Sequence, residues 1–324
     1  MIAVRDALNQ AIDEEMQREE CVFVIGEEVG ASGGCHGVTE GLYCKYGRWR
    51  VLDTPISEMG FTGLAVGASY LGLRPIVEFM TWNFALQSID HIINSCAKTL
   101  YMSGGMISCP IVFRGPNGFN PGYGAQHTQD FCGYYGAVPG LKVVAPYTAK
   151  DHKGLMKAAI RDNNPVVFLE NETLYDDVYE DVADGYVQAL DRAVVEVTGT
   201  DITLIGVSIS VKVCLEAEKL LRAKGISGEV INLVSVRPID KQAIVASAMK
   251  TRNVFVVDYA WPSFSIASEV SAIIHESCFH SLHTPVQRIS GKDIPTPYSE
   301  NLEKMSFPTH LDVVEAVMRT YKKQ

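Results

Sequence analysis

Residue types that carry acid–base chemistry occur in a few short stretches of the chain. Glu58 lies in the run 51–63, directly before small residues spaced along a predicted helix. A carboxylate beside a helix N-terminus is stabilised as an anion, and in an open parallel sheet such loops, at the carboxyl ends of the strands, bind ligands. Glu58 is therefore either a surface residue paired with the helix dipole or a catalytic carboxylate.

A second stretch, residues 114–131, is rich in Gly and Pro and has almost no aliphatic side chains. A long irregular loop inside a compact domain usually serves a function. His127 is its only imidazole, and a histidine exchanges protons near neutral pH. The alternative is that His127 only holds the loop through hydrogen bonds.

Two further segments indicate ligand contacts. Met80 and Phe84 follow an apolar strand, where an aromatic ring could stack on a flat heterocycle, although both could be core residues. Asp162, Asn163 and Asn164 end a predicted helix before a proline. Free carbonyls at a helix end plus a carboxylate suit an alkali or alkaline-earth ion; the alternative is a polar helix stop.

The elements that must position these residues alternate between strand and helix. Buried strands are predicted at 22–25, 75–79, 111–113 and 166–169, and helices from Val4 and at 58–72, 83–102 and 149–162. Strands that are apolar on both faces indicate a parallel sheet covered on both sides. The first domain is predicted to span residues 1–175.

The same alternation returns after an acidic stretch of little periodicity, which we interpret as a linker over residues 176–195. Strands are predicted near 202–206, 229–233, 253–258 and 285–289, and helices near 211–223, 240–249, 265–276 and 311–322. The second domain is predicted to span 196–324. The fold class is thus α/β, with two doubly wound three-layer domains and mostly parallel sheets.

Composition excludes several classes of partner. The formal net charge of −10 disfavours nucleic acid and anionic membrane surfaces, which attract clustered Lys and Arg. No apolar run reaches the roughly 18 residues needed to span a bilayer. The eight cysteines form no C-x-x-C motif, and those in apolar runs are typical of reduced, buried thiols, so we expect a reducing, aqueous compartment.

Several motifs carry a resemblance to a known family. They are the Asp-Thr-Pro-Ile-Ser-Glu-x-Gly run at 53–60 and the segments 78–84, 101–105, 113–118, 126–127 and 160–165. Together they are similar to the beta subunits of thiamine-diphosphate-dependent 2-oxoacid dehydrogenases of the pyruvate type, within the transketolase-like superfamily. The likeness covers nearly the whole chain and is densest up to residue 172.

The resemblance implies roles for the residues singled out above. Glu58 would hydrogen-bond to the aminopyrimidine of thiamine diphosphate and favour the tautomer that acts as a base. Met80 would line the pocket and Phe84 would stack on the pyrimidine, in a family that often has Phe where Trp82 stands. His127 would face the cofactor and assist transfer of the two-carbon unit to a lipoyl group.

A structural potassium ion is also implied by the resemblance. Its ligands in the resembling subunits, which are carbonyls and side chains, map onto Ile111, Ala159, Ile160, Asp162 and Asn164, and all five residues are present.

A missing motif predicts a partner. Thiamine enzymes hold magnesium, and through it the diphosphate, with a Gly-Asp-Gly motif followed by an Asn pair, and this chain has no Gly-Asp-Gly. The diphosphate charge then needs a counter-ion site elsewhere. The resemblance identifies the partner as a pyruvate dehydrogenase alpha subunit, in an assembly of two alpha and two beta chains.

The resemblance also implies docking of a dihydrolipoyl acetyltransferase, and a location in the mitochondrial matrix or a related organelle, or in the cytoplasm of a bacterium.

Three alternatives remain open at this stage. A branched-chain 2-oxoacid dehydrogenase beta subunit would resemble Pro-Leu-Cys-Glu-Gln-Gly where this chain has Pro-Ile-Ser-Glu-Met-Gly at 55–60, which favours pyruvate. A non-catalytic structural subunit would not need Glu58, Phe84 and His127 together. A free-standing transketolase-like enzyme would need the missing magnesium motif.

Overall fold

The computed structural model describes residues 1–321 and divides the chain into two compact units. The first unit comprises Met1–Asn117 and Tyr134–Leu190. The second comprises Gly118–Gly133 and the chain from Asp191 onwards. The loop that carries His127 therefore groups with the second unit, although the strand before it belongs to the first.

The first unit is built on parallel strands separated by helices. In chain order its elements are β1 (Ile2–Ala3), α1 (Val4–Arg18), β2 (Val22–Gly26), α2 (Leu42–Tyr46), β3 (Val51–Asp53), α3 (Glu58–Tyr70), β4 (Arg74–Glu78), a 3₁₀ turn (Phe84–Ser88), a π-helical turn (His91–Cys96), α4 (Ala97–Met102), β5 (Val112–Pro116), α5 (Cys132–Gly136), β6 (Lys142–Val144), α6 (Ala149–Arg161), β7 (Val166–Glu170), a 3₁₀ turn (Glu172–Leu174) and β8 (Val178–Tyr179). The helix α5 crosses the boundary between the two units.

Six of these strands form one parallel sheet in the order β6-β7-β5-β4-β2-β3. Every residue of β2, β5 and β7 is buried, as expected for a sheet covered on both faces. The short strands β1 and β8 pair antiparallel, so the chain just after residue 175 is ordered against the N-terminus. Because the six strands run in the same direction, all their carboxyl ends meet at one edge.

The second unit is smaller and also alternates strands with helices. Its elements are β9 (Val194–Val197), β10 (Ile202–Gly206), α7 (Ser210–Ala223), β11 (Gly228–Asn232), β12 (Ser235–Arg237), α8 (Lys241–Thr251), β13 (Val254–Asp258), α9 (Ile266–Cys278), a 3₁₀ turn (Phe279–Ser281), β14 (Gln287–Ser290), α10 (Glu300–Lys304) and α11 (His310–Thr320). The sheet order is β14-β13-β10-β11-β9, and only the edge strand β9 is antiparallel. The predicted α/β fold class with mostly parallel sheets is confirmed.

The helical stretch predicted at 83–102 is not a single α-helix, because the segment contains a 3₁₀ turn, a π-helical turn and a short α-helix. The Ser95 carbonyl shows one reason. It accepts hydrogen bonds from the hydroxyl of Tyr70, at 2.8 Å, and from that of Thr99. Side-chain donors that enter the helical ladder in this way disturb its regular hydrogen bonding.

Cysteine burial is uneven. All eight thiols are free, and Cys96, Cys109, Cys132, Cys214 and Cys278 are buried. Cys35 and Cys44 are exposed. Neither lies in an apolar run, so the prediction of buried thiols did not extend to them. Within residues 1–321, the longest apolar helices fall short of what crossing a bilayer requires.

Candidate active site

The candidate site is at the carboxyl edge of the first unit's sheet, where the chain leaves β2 and β3. Asp53 ends β3, and its carboxylate accepts hydrogen bonds from the backbone N–H groups of Gly30 (2.6 Å) and Ala31 (3.1 Å). Asp53 thereby fixes the loop that follows β2. Gly26 must be glycine because a Cβ there would lie 2.5 Å from the Glu78 carbonyl oxygen. Glu27 directly follows β2, and it is close enough to Glu58 for the charge of Glu58 to act on it.

Glu58 is the first residue of α3, and its side chain is buried, with 3% of the residue exposed. Its Oε2 atom is inaccessible to solvent and has no hydrogen-bond partner among the described residues. A buried acceptor without a donor costs about 1–3 kcal/mol. The helix N-terminus stabilises the carboxylate as an anion, but it does not satisfy this oxygen. The Oε2 of Glu58 is therefore available to accept a hydrogen bond from a ligand.

Glu27 is the neighbour that the sequence pattern did not single out. The residue is 7% exposed, and its Oε1 also lacks a hydrogen-bond partner within residues 1–321. Burial raises the pKa of Glu27, and the negative charge of Glu58 raises it further, while a hydrogen bond from the Ser57 backbone N–H opposes the shift. The raised pKa means that Glu27 holds a proton more readily than an ordinary glutamate does. A carboxylate directly after the first strand of a parallel sheet was the available signal.

Met80 and Phe84 follow the carboxyl end of β4, and both are half-buried. Neither is sealed in the core, so each could still contact a ligand. Trp82 lies between them in sequence but has no exposed surface. Its ring packs against those of Phe79 (5.4 Å between centroids) and Tyr135 (5.0 Å), and its Nε1 donates to the Phe168 carbonyl at 3.3 Å. The core therefore accommodates the indole of Trp82, which is larger than the Phe ring that the family often has at this position.

A buried ion network fixes the same edge of the sheet. The Arg114 guanidinium on β5 binds Glu170, at 2.7 Å and 2.5 Å, and also Glu78. The Tyr175 hydroxyl donates to Glu170 at 2.6 Å. Burial raises the pKa of Glu78, Arg114 opposes this, and Glu170 adds to it. The network connects the ends of β4, β5 and β7, and truncating one member would leave a buried charge unpaired.

His127 lies in the segment 118–133, which belongs to the second unit. Its side chain is half-buried, and its ring centroid is 6.2 Å from that of Tyr123. The adjacent Thr128 hydroxyl donates to the Gly124 carbonyl at 2.7 Å, which closes a tight turn around the histidine. The role of His127 stays a prediction, as do the ligand roles of Glu58, Met80 and Phe84.

The residues predicted to bind potassium lie at the opposite, amino-terminal edge of the sheet. Ile111 precedes β5, while the others end α6 or follow it. The Ile111 carbonyl accepts from the Val166 N–H, and the Ile160 carbonyl accepts from Arg74 at 2.9 Å. These oxygens are of the hard type that alkali cations prefer, and each already has a protein donor.

Asp162 is the only carboxylate of this predicted ion site. Its side chain binds Lys142 and accepts two 2.9 Å hydrogen bonds from Asn164. Burial would raise the pKa of Asp162, but these hydrogen bonds outweigh it and lower the pKa. Asp162 is therefore held as an anion. No group of three or more His, Cys, Asp or Glu side chains in the described part of the chain is arranged to hold a metal ion.

Comparison with known proteins places this geometry in a family. Residues 1–177 match the model for the transketolase pyrimidine binding domain, and residues 191–313 match that for the transketolase C-terminal domain. Among solved structures, a chain titled "Split gene transketolase, inactive beta4 tetramer" superposes with a TM-score of 0.81 over 99% of both chains at 24% identity, which supports the fold alone.

Curated relatives are much closer in sequence. "Pyruvate dehydrogenase E1 component subunit beta, mitochondrial" of Dictyostelium discoideum is 51% identical over 322 residues, covering 98% of this chain and 90% of the relative. "Pyruvate dehydrogenase E1 component subunit beta" of Rickettsia bellii is 49% identical over 318 residues, covering 98% of each. The predicted resemblance is confirmed, and the chain belongs to the family of pyruvate dehydrogenase E1 component beta subunits.

Proposed function

We propose that this chain acts with an alpha subunit in the thiamine-diphosphate-dependent oxidative decarboxylation of pyruvate, with reductive acetylation of a lipoyl group. The observation that supports this most directly is the buried, unpartnered Oε2 of Glu58 at the N-terminus of α3. The compartment is the mitochondrion, as in the names of the eukaryotic relatives, or the cytoplasm of a bacterium.

The residues at the carboxyl edge fit an aminopyrimidine. Bound thiamine diphosphate supplies a thiazolium carbon that becomes a nucleophile once it loses a proton. Glu58 would hold a hydrogen bond to a pyrimidine ring nitrogen, which satisfies its unpartnered oxygen and keeps a proton shared at that atom. Its burial excludes water that would compete for the bond.

Glu27 and the half-buried apolar side chains complete this half of the pocket. Because the pKa of Glu27 is raised by burial and by Glu58, Glu27 would be the carboxyl that carries a proton when Glu58 is ionised. Met80 and Phe84 would give the heterocycle an apolar wall and a ring to stack on. His127 would donate or accept a proton during transfer of the two-carbon unit to the lipoyl group.

The partner would supply what this chain lacks. The sequence has no Gly-Asp-Gly motif to hold magnesium and the diphosphate, so we assign both to the alpha subunit of an assembly with two alpha and two beta chains. The first unit exposes apolar side chains on α3 and near α4, among them Met59, Leu64, Tyr101, Met102 and Met106. Such patches are typical of subunit contacts. The second unit would dock a dihydrolipoyl acetyltransferase.

The potassium site is proposed as a structural one. Ile111, Ala159, Ile160, Asp162 and Asn164 lie at the edge of the sheet opposite Glu58, so an ion there would stabilise the fold and take no part in the chemistry. Binding would require Arg74 and Lys142 to share or yield some of the oxygens that they now contact.

Co-expression with an alpha subunit tests the proposed function. The assembled enzyme should decarboxylate pyruvate with an artificial electron acceptor, and this chain alone should not. Glu58→Gln in the assembled enzyme should abolish activity, while Glu20→Gln, at an exposed position, should not. Turnover by the purified chain alone, or an active Glu58→Gln enzyme, would contradict the proposal.

A further inference from the structure

The segment 118–133 is fixed within the second unit by an aromatic contact near its beginning. The ring of Phe119 lies 4.6 Å from that of Phe307 and 5.8 Å from that of Tyr259. Phe307 and Tyr259 are themselves stacked at 5.4 Å. Aromatic pairs at these separations attract one another beyond the effect of the area that they bury. Phe119 therefore attaches the loop to residues that follow β13 and α10.

A second contact holds the middle of the segment. The Gly122 N–H donates to the Glu303 Oε1 at 2.9 Å. Glu303 lies on α10 and is 3% exposed, so its carboxylate is fixed by its surroundings. Gly122 has φ +81° and Gly124 has φ +73°, a conformation that favours glycine. The carboxylate thus binds a turn whose backbone is already suited to present its N–H.

The far end of the segment is attached as well. Asp130 accepts the Cys132 N–H at 2.8 Å, and its charge acts on the buried Asp258 at the end of β13. His127 lies between these attachments. The Thr128–Gly124 hydrogen bond, 2.7 Å long, joins the residue after the histidine to the turn that Glu303 binds. The position of the imidazole is therefore coupled to α10 through a short chain of contacts.

We propose that Glu303, Phe119 and Phe307 are positioning residues for acyl transfer, and that they act by holding His127 in place. This inference rests on the role in lipoyl acetylation proposed for His127. A catalytic side chain displaced by about 1 Å can lose about a hundredfold in rate. A loop has little rigidity of its own, so the buried Glu303 and the aromatic cluster must supply it.

The experiment uses the assembled enzyme with its alpha subunit. The variants are Glu303→Ala, Phe119→Ala and His127→Ala, and the conservative pair is Glu303→Gln and Phe119→Leu. Glu300→Gln is the matched control, since Glu300 is on the same helix but is exposed and forms an ion pair with the exposed Lys304, at 2.5 Å. Three quantities are measured: pyruvate decarboxylation with an artificial acceptor, reductive acetylation of a lipoyl domain, and hydrogen exchange of the 118–133 amides.

Glu303→Ala and Phe119→Ala should lower lipoyl acetylation by about tenfold or more and raise amide exchange in 118–133, while decarboxylation stays within about threefold. Glu303→Gln should retain most of the acetylation rate, because its amide oxygen still accepts the Gly122 N–H. Phe119→Leu should be intermediate, and Glu300→Gln should match the wild type.

The outcomes separate the two proposals. If His127→Ala acetylates lipoyl domains at the wild-type rate, the role proposed for His127 fails. If His127→Ala is impaired but Glu303→Ala and Phe119→Ala change neither acetylation nor amide exchange, the positioning inference is overturned. An equal loss of both reactions in the two alanine variants would also overturn it, because it would indicate general unfolding.

Discussion

Glu27 and Glu58 are neighbouring buried carboxyl groups at one edge of a parallel sheet, and each keeps an oxygen atom without a hydrogen-bond partner among residues 1–321. The sheet brings them together although they are far apart in sequence. One is ready to accept a hydrogen bond from a ligand, and the other resists ionisation while the first is charged. The central chemical claim about this protein rests on that pair.

Replacing Glu27 should shift the pH dependence of activity. Glu27→Gln replaces a carboxyl whose pKa is raised by burial and by the charge of Glu58 with an amide that stays neutral at every pH. The ionisation of Glu27, whose pKa lies above the usual range of a carboxyl, should then disappear from the kcat/KM profile. The measurement is the profile of the assembled enzyme, with the exposed Glu20→Gln as control. A profile identical to that of the wild type would contradict a titrating role for Glu27.

Asp130→Asn should stabilise the protein above about pH 6. Burial and then the charge of Asp130 raise the pKa of Asp258 from 3.8 to about 6. An acid with a raised folded-state pKa binds more protons folded than unfolded, so its stabilising contribution is present at low pH and is lost as pH rises from about 4 to about 6. The full loss is at most roughly 3 kcal/mol.

Asp130→Asn removes only the part of that shift due to charge repulsion, and its amide oxygen can still accept the Cys132 N–H. The difference in thermal midpoint between variant and wild type should therefore be larger at pH 8 than at pH 4. A difference that does not depend on pH, or that grows towards acid, would show that the two carboxyl groups are not coupled.

Arg114→Met should destabilise the protein strongly. Removing the guanidinium leaves Glu78 and Glu170 buried together without a cation, which costs about 3–5 kcal/mol. Arg5→Met is the matched control, because Arg5 forms a solvent-exposed ion pair with Asp176 at 2.6 Å that is worth about 0–1 kcal/mol. Thermal denaturation should separate the two variants clearly. Equal midpoints would mean that the buried network contributes little.

Potassium should stabilise the chain more than sodium at equal ionic strength. Asp162 is held as an anion and is the only charged ligand of the proposed site, so Asp162→Asn should remove the difference between the salts. Thermal midpoints in potassium and sodium chloride provide the measurement. Identical midpoints for the wild type in both salts would refute the site.

Much of the architecture could be predicted from the sequence because it depends on local patterns. The apolar runs of β2, β5 and β7 are short, continuous and bounded by breakers, and they identify a parallel sheet. Glu58 could be located because its motif follows a strand and begins a helix. The irregular helical geometry within 84–102 could not be predicted, because one of its causes is a hydrogen bond from the hydroxyl of Tyr70, which lies in another helix.

The parts of the site that escaped prediction depend on contacts between distant segments. Glu27 directly follows β2, but the next residue, the exposed Glu28, is also a carboxylate, and the choice between them follows from the approach of Glu58. The grouping of 118–133 with the second unit depends on Phe119, Gly122 and Asp130 meeting residues more than a hundred positions later. The pattern of hydrophobic residues in the sequence does not predict such long-range contacts.

The most direct test of the central claim is the rate at which the C2 proton of bound thiamine diphosphate exchanges with deuterium in the assembled enzyme. It measures the proton transfer that Glu58 is proposed to promote, independently of pyruvate and lipoyl binding. Glu58→Gln should slow this exchange by about a hundredfold or more while the cofactor stays bound. Exchange within a few-fold of the wild-type rate would contradict the role assigned to Glu58.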